Sequence, residues 1–147
     1  MSTTQQLLRL LAAASALSIA SVHMAILNQH LEERAYVGGL FLAAIFGLQV
    51  VALELAQSRR DRFLDAAAWL GGSAIVVSMF ALFIVSRTIG LPGYHEPWDA
   101  IGIASLALEG LFVSLAVANA ALELIASEPS RIERGMRLEV AHTARAT

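Results

Sequence analysis

A single carboxylic acid interrupts the last long apolar stretch of this sequence. Glu109 lies about 11 residues into that stretch, at a helical depth of about 16 Å. A carboxylate so far from water needs a cation or a hydrogen-bond donor. Arg87 and His23 are the two candidates, so the sequence predicts a buried polar cluster of Arg87, Glu109 and His23. Such a cluster could fix the helix register, or it could handle protons or hold a ligand.

Three histidines could contribute metal ligands. His23 and His30 are seven residues apart and share a helix face, about 10 Å from each other. A straight helix therefore cannot bring both to one ion. Together with His95 and Glu96 they offer the imidazole and carboxylate groups that suit zinc or copper(II). No HxxxH or HxH spacing organises them, so these four residues are candidates for a metal or ligand site whose metal is unknown.

A transmembrane haem would need histidines from two helices at matching depths. Only His23 lies well inside an apolar run, and we place His30 and His95 in loops. We therefore do not expect two-histidine haem ligation within one copy.

Several classes of function are excluded by composition. The chain has no cysteine, which excludes disulfides, thiolate zinc and iron–sulfur clusters. Its net charge of −2 and the lack of a basic stripe exclude a nucleic-acid partner. No phosphate-binding glycine loop is present. No catalytic constellation is recognisable either, so we predict no enzyme, and the sequence requires no cofactor.

The elements that must position these residues are four long apolar runs. The 147-residue chain is 57% hydrophobic and only 15% charged, whereas soluble domains carry about 25% charged residues. Each run approaches the roughly 20 residues that a bilayer crossing requires. We predict an all-α integral membrane protein, an antiparallel four-helix bundle over residues 1–126. Its spans lie at about 7–28, 35–57, 63–87 and 98–125, and the first is an uncleaved span rather than a signal peptide.

Arginine placement predicts the orientation of these spans. Eight of the ten basic residues fall on one side: Arg9, Arg59, Arg60, Arg62, Arg131, Arg134, Arg137 and Arg145. Only Arg34 and Arg87 fall on the other. The positive-inside rule then puts both termini in the cytoplasm and the loops 28–35 and 87–98 outside.

The polar tail, residues 127–147, is predicted to be cytoplasmic. Ser127-Glu128-Pro129 is typical of a helix N-terminus. Ile132, Met136 and Val140 then share one face, which favours a short amphipathic helix on the inner leaflet. A frayed tail is the alternative.

Small and aromatic residues predict contacts along the spans. Close backbone approach in lipid occurs at small residues, and two stripes have a spacing of four. We expect them to pack within the bundle, the alternative being a partner protein or a second copy: Gly39, Ala43 and Gly47; Gly110, Ser114 and Ala118. Tyr36, Tyr94 and Trp98 are expected to form an interfacial aromatic belt.

The most specific string is Ser86-Arg87-Thr88-Ile89-Gly90-Leu91-Pro92-Gly93. It resembles the serine-arginine-threonine-x-glycine-leucine-proline-glycine signature of a group of small four-span membrane proteins, common in actinobacteria. His30-Leu31-Glu32 and Glu109 match further features of that group. The resemblance implies a bacterial cytoplasmic membrane and points to Arg87, Glu109, His30 and His95, without implying a reaction.

Three functions follow as expectations. The first is an accessory or scaffold subunit of a membrane complex, or a homo-oligomer, because small-residue stripes suit helix contacts. The second is a membrane protein that binds a metal, a haem or a small lipophilic ligand at its outer face. The third is a small proton-coupled transporter that uses Glu109.

Overall fold

Four long helices account for almost the whole molecule. A computed structural model describes residues 2–57 and 61–145, with the side chains of residues 2–57 and 61–127. The helices are α1 (Thr3–Glu33), α2 (Ala35–Ala56), α3 (Arg62–Thr88) and α4 (Ala100–Arg145), and no strand occurs in these described ranges. All four, with α4 taken to Ser127, are long and apolar enough to cross a membrane. The all-helical prediction is therefore confirmed.

Polar residues at the predicted boundaries start these helices. The Ser2 side chain accepts a hydrogen bond from the Gln5 amide in a capping box at α1. The Asp61 carboxylate accepts from the amides of Phe63 and Leu64 at the start of α3. One extended residue, Arg34, separates α1 from α2. This corner leaves the two helices side by side.

The core forms where the apolar faces of the helices meet. Helix α1 packs most extensively against α2 and also against α4, while α3 contacts both α2 and α4. The largest fully buried apolar side chains come from all four helices: Ile19, Ile45, Leu48, Leu55, Val76 and Phe112. At Gly72 an added Cβ would lie 2.6 Å from Cζ of Phe112, so the glycine lets the phenyl ring reach the α3 backbone.

Two predicted boundaries differ from the structure. Helix α1 continues to Glu33, so His30 lies in a helix, and its placement in a loop was wrong. The polar stretch around it is simply the last turn before the corner at Arg34. Helix α4 continues without interruption across Ser127, where the sequence predicts a separate helix to begin. The faces of the tail beyond that point lie outside the described side chains.

Candidate functional site

The loop between α3 and α4 folds down onto the α1–α2 corner. Leu91 and Tyr94 exchange backbone hydrogen bonds of 2.7 and 2.9 Å around Pro92-Gly93, and Gly93 has a φ of +67°. Proline followed by a positive-φ glycine is typical of a type II turn. Arg34 Nε donates to the Gly93 carbonyl at 2.8 Å, and the Tyr36 hydroxyl donates to the Pro92 carbonyl at 2.9 Å. We call this turn, with Arg34 and Tyr36, the clasp.

His30 lies directly beneath the clasp and is 1% exposed. The Tyr94 hydroxyl is 3.0 Å from Nδ1 of His30, and Glu96 Oε1 is 3.8 Å from Nε2. Burial, with the nearby Glu96 carboxylate, raises the pKa of Tyr94, so its hydroxyl stays protonated. Nδ1 of His30 also lies 3.5 Å from Oε2 of Glu33, so carboxylates lie beside both ring nitrogens. Tyr94 therefore joins the loop to the buried His30, and the aromatic belt of Tyr36, Tyr94 and Trp98 stays a prediction.

Arg87 joins the loop to the helices. Its Nη1 lies 2.8 Å from Glu96 Oε2, and its Nη2 lies 2.7 Å from Asp99 Oδ2. Nη1 also donates to the Ser86 hydroxyl at 3.1 Å, and the guanidinium carbon lies 3.6 Å from the centre of the Phe83 ring. Both terminal nitrogens are thus engaged by carboxylates of the loop, so Arg87 is not available to Glu109.

Asp99 links this ion pair to the start of α4. Its Oδ1 accepts a 2.7 Å hydrogen bond from the Gly102 amide, which satisfies a free donor at the helix N-terminus. Burial alone raises the pKa of Asp99. The hydrogen bonds from the Gly102 amide and from Arg87 outweigh it, so the pKa lies below its ordinary value. The carboxylate form of Asp99 therefore holds the loop, Arg87 and α4 together.

Gly102 makes room for the Arg87 side chain. A Cβ at this position would overlap the Phe83 ring and would lie 2.9 Å from Arg87 Nη2. The guanidinium therefore rests on the bare backbone of α4. Gly102 lies seven residues before Glu109, which is about 10 Å along a helix. The guanidinium therefore contacts α4 about two turns before Glu109.

A cavity of about 600 Å³ opens below this network. Its polar lining includes His23, Arg87, Ser105 and Glu109. Most of its apolar lining comes from the first three helices, with Leu91 and Pro97 of the loop and Ile101 of α4 in addition: Ile26, Val37, Leu40, Phe41, Ala44, Met79, Leu82 and Phe83. The volume lies within the range of about 300–1,000 Å³ that is usual for small-molecule sites.

Glu109 is the deepest acid of the cavity and is 2% exposed, which confirms its predicted burial. Its Oε1 accepts a 3.0 Å hydrogen bond from the Ser105 hydroxyl one turn earlier. Its Oε2 is buried and has no hydrogen-bond partner among the described residues. The predicted pairing of Glu109 with Arg87 or His23 was therefore wrong. Arg87 pairs instead with Glu96 and Asp99 of the loop, and His23 is hydrogen-bonded to the Ile19 carbonyl.

His23 is buried in the cavity wall and bonds to its own helix. Its Nδ1 lies 2.8 Å from the Ile19 carbonyl oxygen, which can only accept, so Nδ1 carries the proton. The lone pair then lies on Nε2, which makes no hydrogen bond within the described part of the chain. The Phe41 ring lies between the two histidines, with ring centres 4.9 Å from His23 and 4.3 Å from His30. Phe41 thus separates His30, which contacts the loop, from His23, which lies closer to the start of α1 and is hydrogen-bonded to its own helix.

The metal candidates are not assembled into a metal site. Residues 2–57 and 61–127 contain no group of three or more suitable ligands. His95 is exposed, and Glu96 is bound to Arg87. His23 and His30 are both buried but lie on either side of Phe41. The site instead uses Asp99, Tyr94 and Ser105. Of these, Ser105 could have been found from the sequence, because a spacing of four puts it on the same helix face as Glu109.

The opposite end of the helices is fastened by a different arginine. Arg9 is buried and pairs with Asp65 of α3. It also donates to three carbonyls at the end of α2, those of Glu54, Leu55 and Gln57, at 3.0–3.2 Å. Free carbonyls at a helix C-terminus attract cations. Arg9 therefore ties α1, α2 and α3 together at this end.

The small-residue stripes lie largely on the outside of the molecule. Gly39 and Gly110 have no described atom within 4 Å of an added Cβ, and Ala43 and Ser114 are exposed. Of the three glycines, only Gly47 has a neighbour at this position, with Ile75 Cδ1 2.6 Å from its added Cβ, and Ala118 is half-buried. The expectation that both stripes pack within the molecule was therefore wrong for most of their length.

No family model, curated protein or solved structure matches this chain.

Proposed function

We propose that this chain is a bacterial cytoplasmic-membrane protein that binds a small lipophilic ligand in the cavity beneath the clasp. In this proposal the four helices form an antiparallel bundle with both termini in the cytoplasm. The arginine distribution supports that orientation. Contacts of Arg9 near the start of α1 with the end of α2, and of His30 near its end with the loop before α4, support the antiparallel arrangement.

The observation that carries the proposal is the unpartnered carboxylate oxygen of Glu109. Buried polar atoms in proteins almost always have a hydrogen-bond partner, and leaving one without costs about 1–3 kcal/mol. Here the atom belongs to a residue that lines a cavity of about 600 Å³. A ligand that donates a hydrogen bond to Oε2 would offset this cost. A purely structural acid would have no reason to lie beside so much open space.

The apolar walls indicate what the rest of the ligand must be. Small-molecule sites are mostly apolar, with a few polar groups that orient the ligand. Leu40, Phe41, Met79 and Leu82 offer such a surface. At the rim, Arg87 and Glu96 present charges that are already paired. The ligand would therefore place an apolar body against the helices.

The proposal is tested by filling the cavity. Ala44 is buried and lines the cavity, whereas its neighbour Ala43 is exposed and does not. The full chain in lipid nanodiscs would be titrated with 1-adamantanol, with empty nanodiscs as the partitioning blank. Ala44→Trp should abolish saturable binding, and Ala43→Trp should retain it. Equal binding by both variants, or no binding by the unchanged protein, would contradict the proposal.

A second candidate function, an accessory or scaffold subunit, is supported by the exposed small residues. Gly39 and Ala43 on α2 and Gly110 and Ser114 on α4 allow close backbone approach by another helix. Native mass measurement after gentle extraction tests this candidate. We expect a particle heavier than one chain that Gly39→Leu or Gly110→Leu dissociates. A strictly monomeric particle would contradict the scaffold candidate. The third expectation, proton-coupled transport through Glu109, stays a prediction from the sequence.

We also propose kinship with the four-span bacterial proteins that carry the signature string. In this structure the string has identifiable roles, because Arg87 binds the loop acids and Gly90 and Gly93 adopt φ values of +85° and +67°. Few other residues tolerate such values. Kinship would therefore mean a shared clasp, and replacing Gly93 by valine should disrupt the clasp in this chain and in such a relative alike.

A further inference from the structure

We propose that the ligand is a lipophilic amine, bound as its ammonium ion against Glu109. This inference rests on the proposed function and names the chemical class of its ligand. It is carried by three independent features of the cavity: its charges, the type of its free hydrogen-bonding atoms and the position of its apolar walls.

The charges of the cavity favour a cation. Four carboxylates and two arginines are among its lining residues. Both terminal nitrogens of Arg87 are bound to Glu96 and Asp99, and the exposed Arg34 is bound to carbonyls of the clasp. Among the described residues that line the cavity, Glu109 alone has a carboxylate oxygen that is buried and unpartnered. Nε of Arg87 is also buried without a partner, but the charge of this guanidinium is already balanced by the two carboxylates on its terminal nitrogens. The described residues show no such balancing partner for Glu109, so an ammonium ion would neutralise Glu109, whereas an anionic ligand would add a second negative charge beside it.

The free atoms around Glu109 are hydrogen-bond acceptors. Glu109 Oε2 has no donor, and His23 Nε2 carries a lone pair because Nδ1 donates to Ile19. The Ser105 hydroxyl donates its hydrogen bond to Glu109, so its oxygen can still accept one. A head group that satisfies several acceptors must carry several N–H or O–H donors. A primary ammonium ion carries three.

The apolar walls lie beside this group of acceptors. Phe41 and Met79 line the cavity with Glu109, and Phe41 contacts the ring of His23. Aromatic faces attract ammonium ions and also accept hydrocarbon. The ligand would therefore be bound with its nitrogen at Glu109 and its hydrocarbon toward α2 and α3.

The test uses three probes with one hydrocarbon cage: 1-adamantylamine, 1-adamantanol and 1-adamantanecarboxylate. Each would be titrated at pH 7 into the full chain in nanodiscs, with empty nanodiscs as the blank. We expect the amine to bind at least about tenfold more tightly than the alcohol, which corresponds to about 1.4 kcal/mol. The carboxylate should bind no better than the alcohol.

Two variants test whether the preference for the amine over the alcohol depends on the carboxylate of Glu109. Glu109→Gln should abolish the preference for the amine, because glutamine keeps an oxygen that can accept a hydrogen bond from either probe but carries no charge to attract the ammonium ion. Glu123→Gln is the matched control, because Glu123 is an exposed acid of the same helix that is bonded to Asn119. It should keep the full preference.

The outcomes separate the two proposals. If amine and alcohol bind the unchanged protein equally, the ammonium inference is wrong and the cavity proposal survives. A preference that persists in Glu109→Gln also overturns the inference. If no probe binds, both proposals fail. The comparison of probes on the unchanged protein needs no variant, so poor folding of Glu109→Gln would not prevent a decision.

Discussion

The hydroxyl of Tyr94, in the loop between α3 and α4, lies 3.0 Å from Nδ1 of His30, a residue buried near the end of α1. This contact spans 64 residues of sequence and joins the clasp to the helices beneath it. His30 is shielded from water, and the other group beside that nitrogen, the Glu33 carboxylate, lies farther away at 3.5 Å.

Replacing Tyr94 by phenylalanine should therefore destabilise the molecule. We expect Tyr94→Phe to lower the free energy of unfolding by about 1 kcal/mol, since a buried nitrogen loses its shorter polar contact, the 3.0 Å hydrogen bond to Tyr94. The matched control is Tyr36→Phe, which removes an exposed hydroxyl from the same clasp and should cost less. Denaturant titration in mild detergent measures both. Equal losses would show that burial of His30 contributes nothing.

Acid should loosen the molecule through Asp99. Because the folded-state pKa of Asp99 is depressed, its contribution is complete above its ordinary pKa of about 3.9. It is lost as the pH falls through the lower folded value. The melting temperature should therefore decline below about pH 4, and Asp99→Asn should show a smaller decline. Asparagine is the suitable variant because it still caps a helix. An identical decline in both proteins would refute this assignment.

Two glycines of α4 should respond oppositely to the same substitution. Gly102→Ala forces a methyl group against Phe83 and Arg87 and should destabilise the molecule by about 1–3 kcal/mol. Gly110→Ala meets open space and should stabilise it by up to about 1 kcal/mol through helix propensity. Thermal unfolding of the two variants in one detergent compares them directly. Destabilisation by Gly110→Ala would show that another chain covers that face.

Glu109→Leu should stabilise the molecule while removing the proposed site. Leucine replaces a buried oxygen without a partner, and the Ser105 hydroxyl can turn to the carbonyl four residues earlier, as Ser114 does. We expect a gain of about 1 kcal/mol in the free energy of unfolding together with loss of binding of 1-adamantylamine. Glu109→Gln should lie between Glu109→Leu and the unchanged chain in stability. A large loss of stability would mean that the carboxylate has a structural partner.

The sequence was informative wherever composition alone decides the outcome. The four helices follow from four long apolar runs. The burial of Glu109 follows from its position inside the last of these runs. The partner of Arg87 could not be predicted in this way, because it depends on a loop whose path is set by positive-φ backbone at Gly90 and Gly93. With that path in place, Glu96 and Asp99 are nearer to Arg87 than Glu109 is.

Two further residues show the same limit. The polar residues around His30 predict a loop, although α1 continues to a one-residue corner at Arg34. Arg9 was counted only as a positive charge that sets orientation. Its hydrogen bonds to backbone carbonyls of α2 leave no trace in residue type or spacing.

The two ends of the molecule are fastened unequally. Arg9 of α1 is buried and bonds to both α2 and α3, whereas the bonds that Arg34 and Tyr36 make to the Pro92-Gly93 turn are exposed. Exposed hydrogen bonds open at small cost, so thermal breathing concentrates at the clasp. The residence time of a ligand in the cavity would then be set by the frequency of clasp opening. Weakening the clasp would shorten that residence time by speeding release and capture together, leaving the affinity nearly constant.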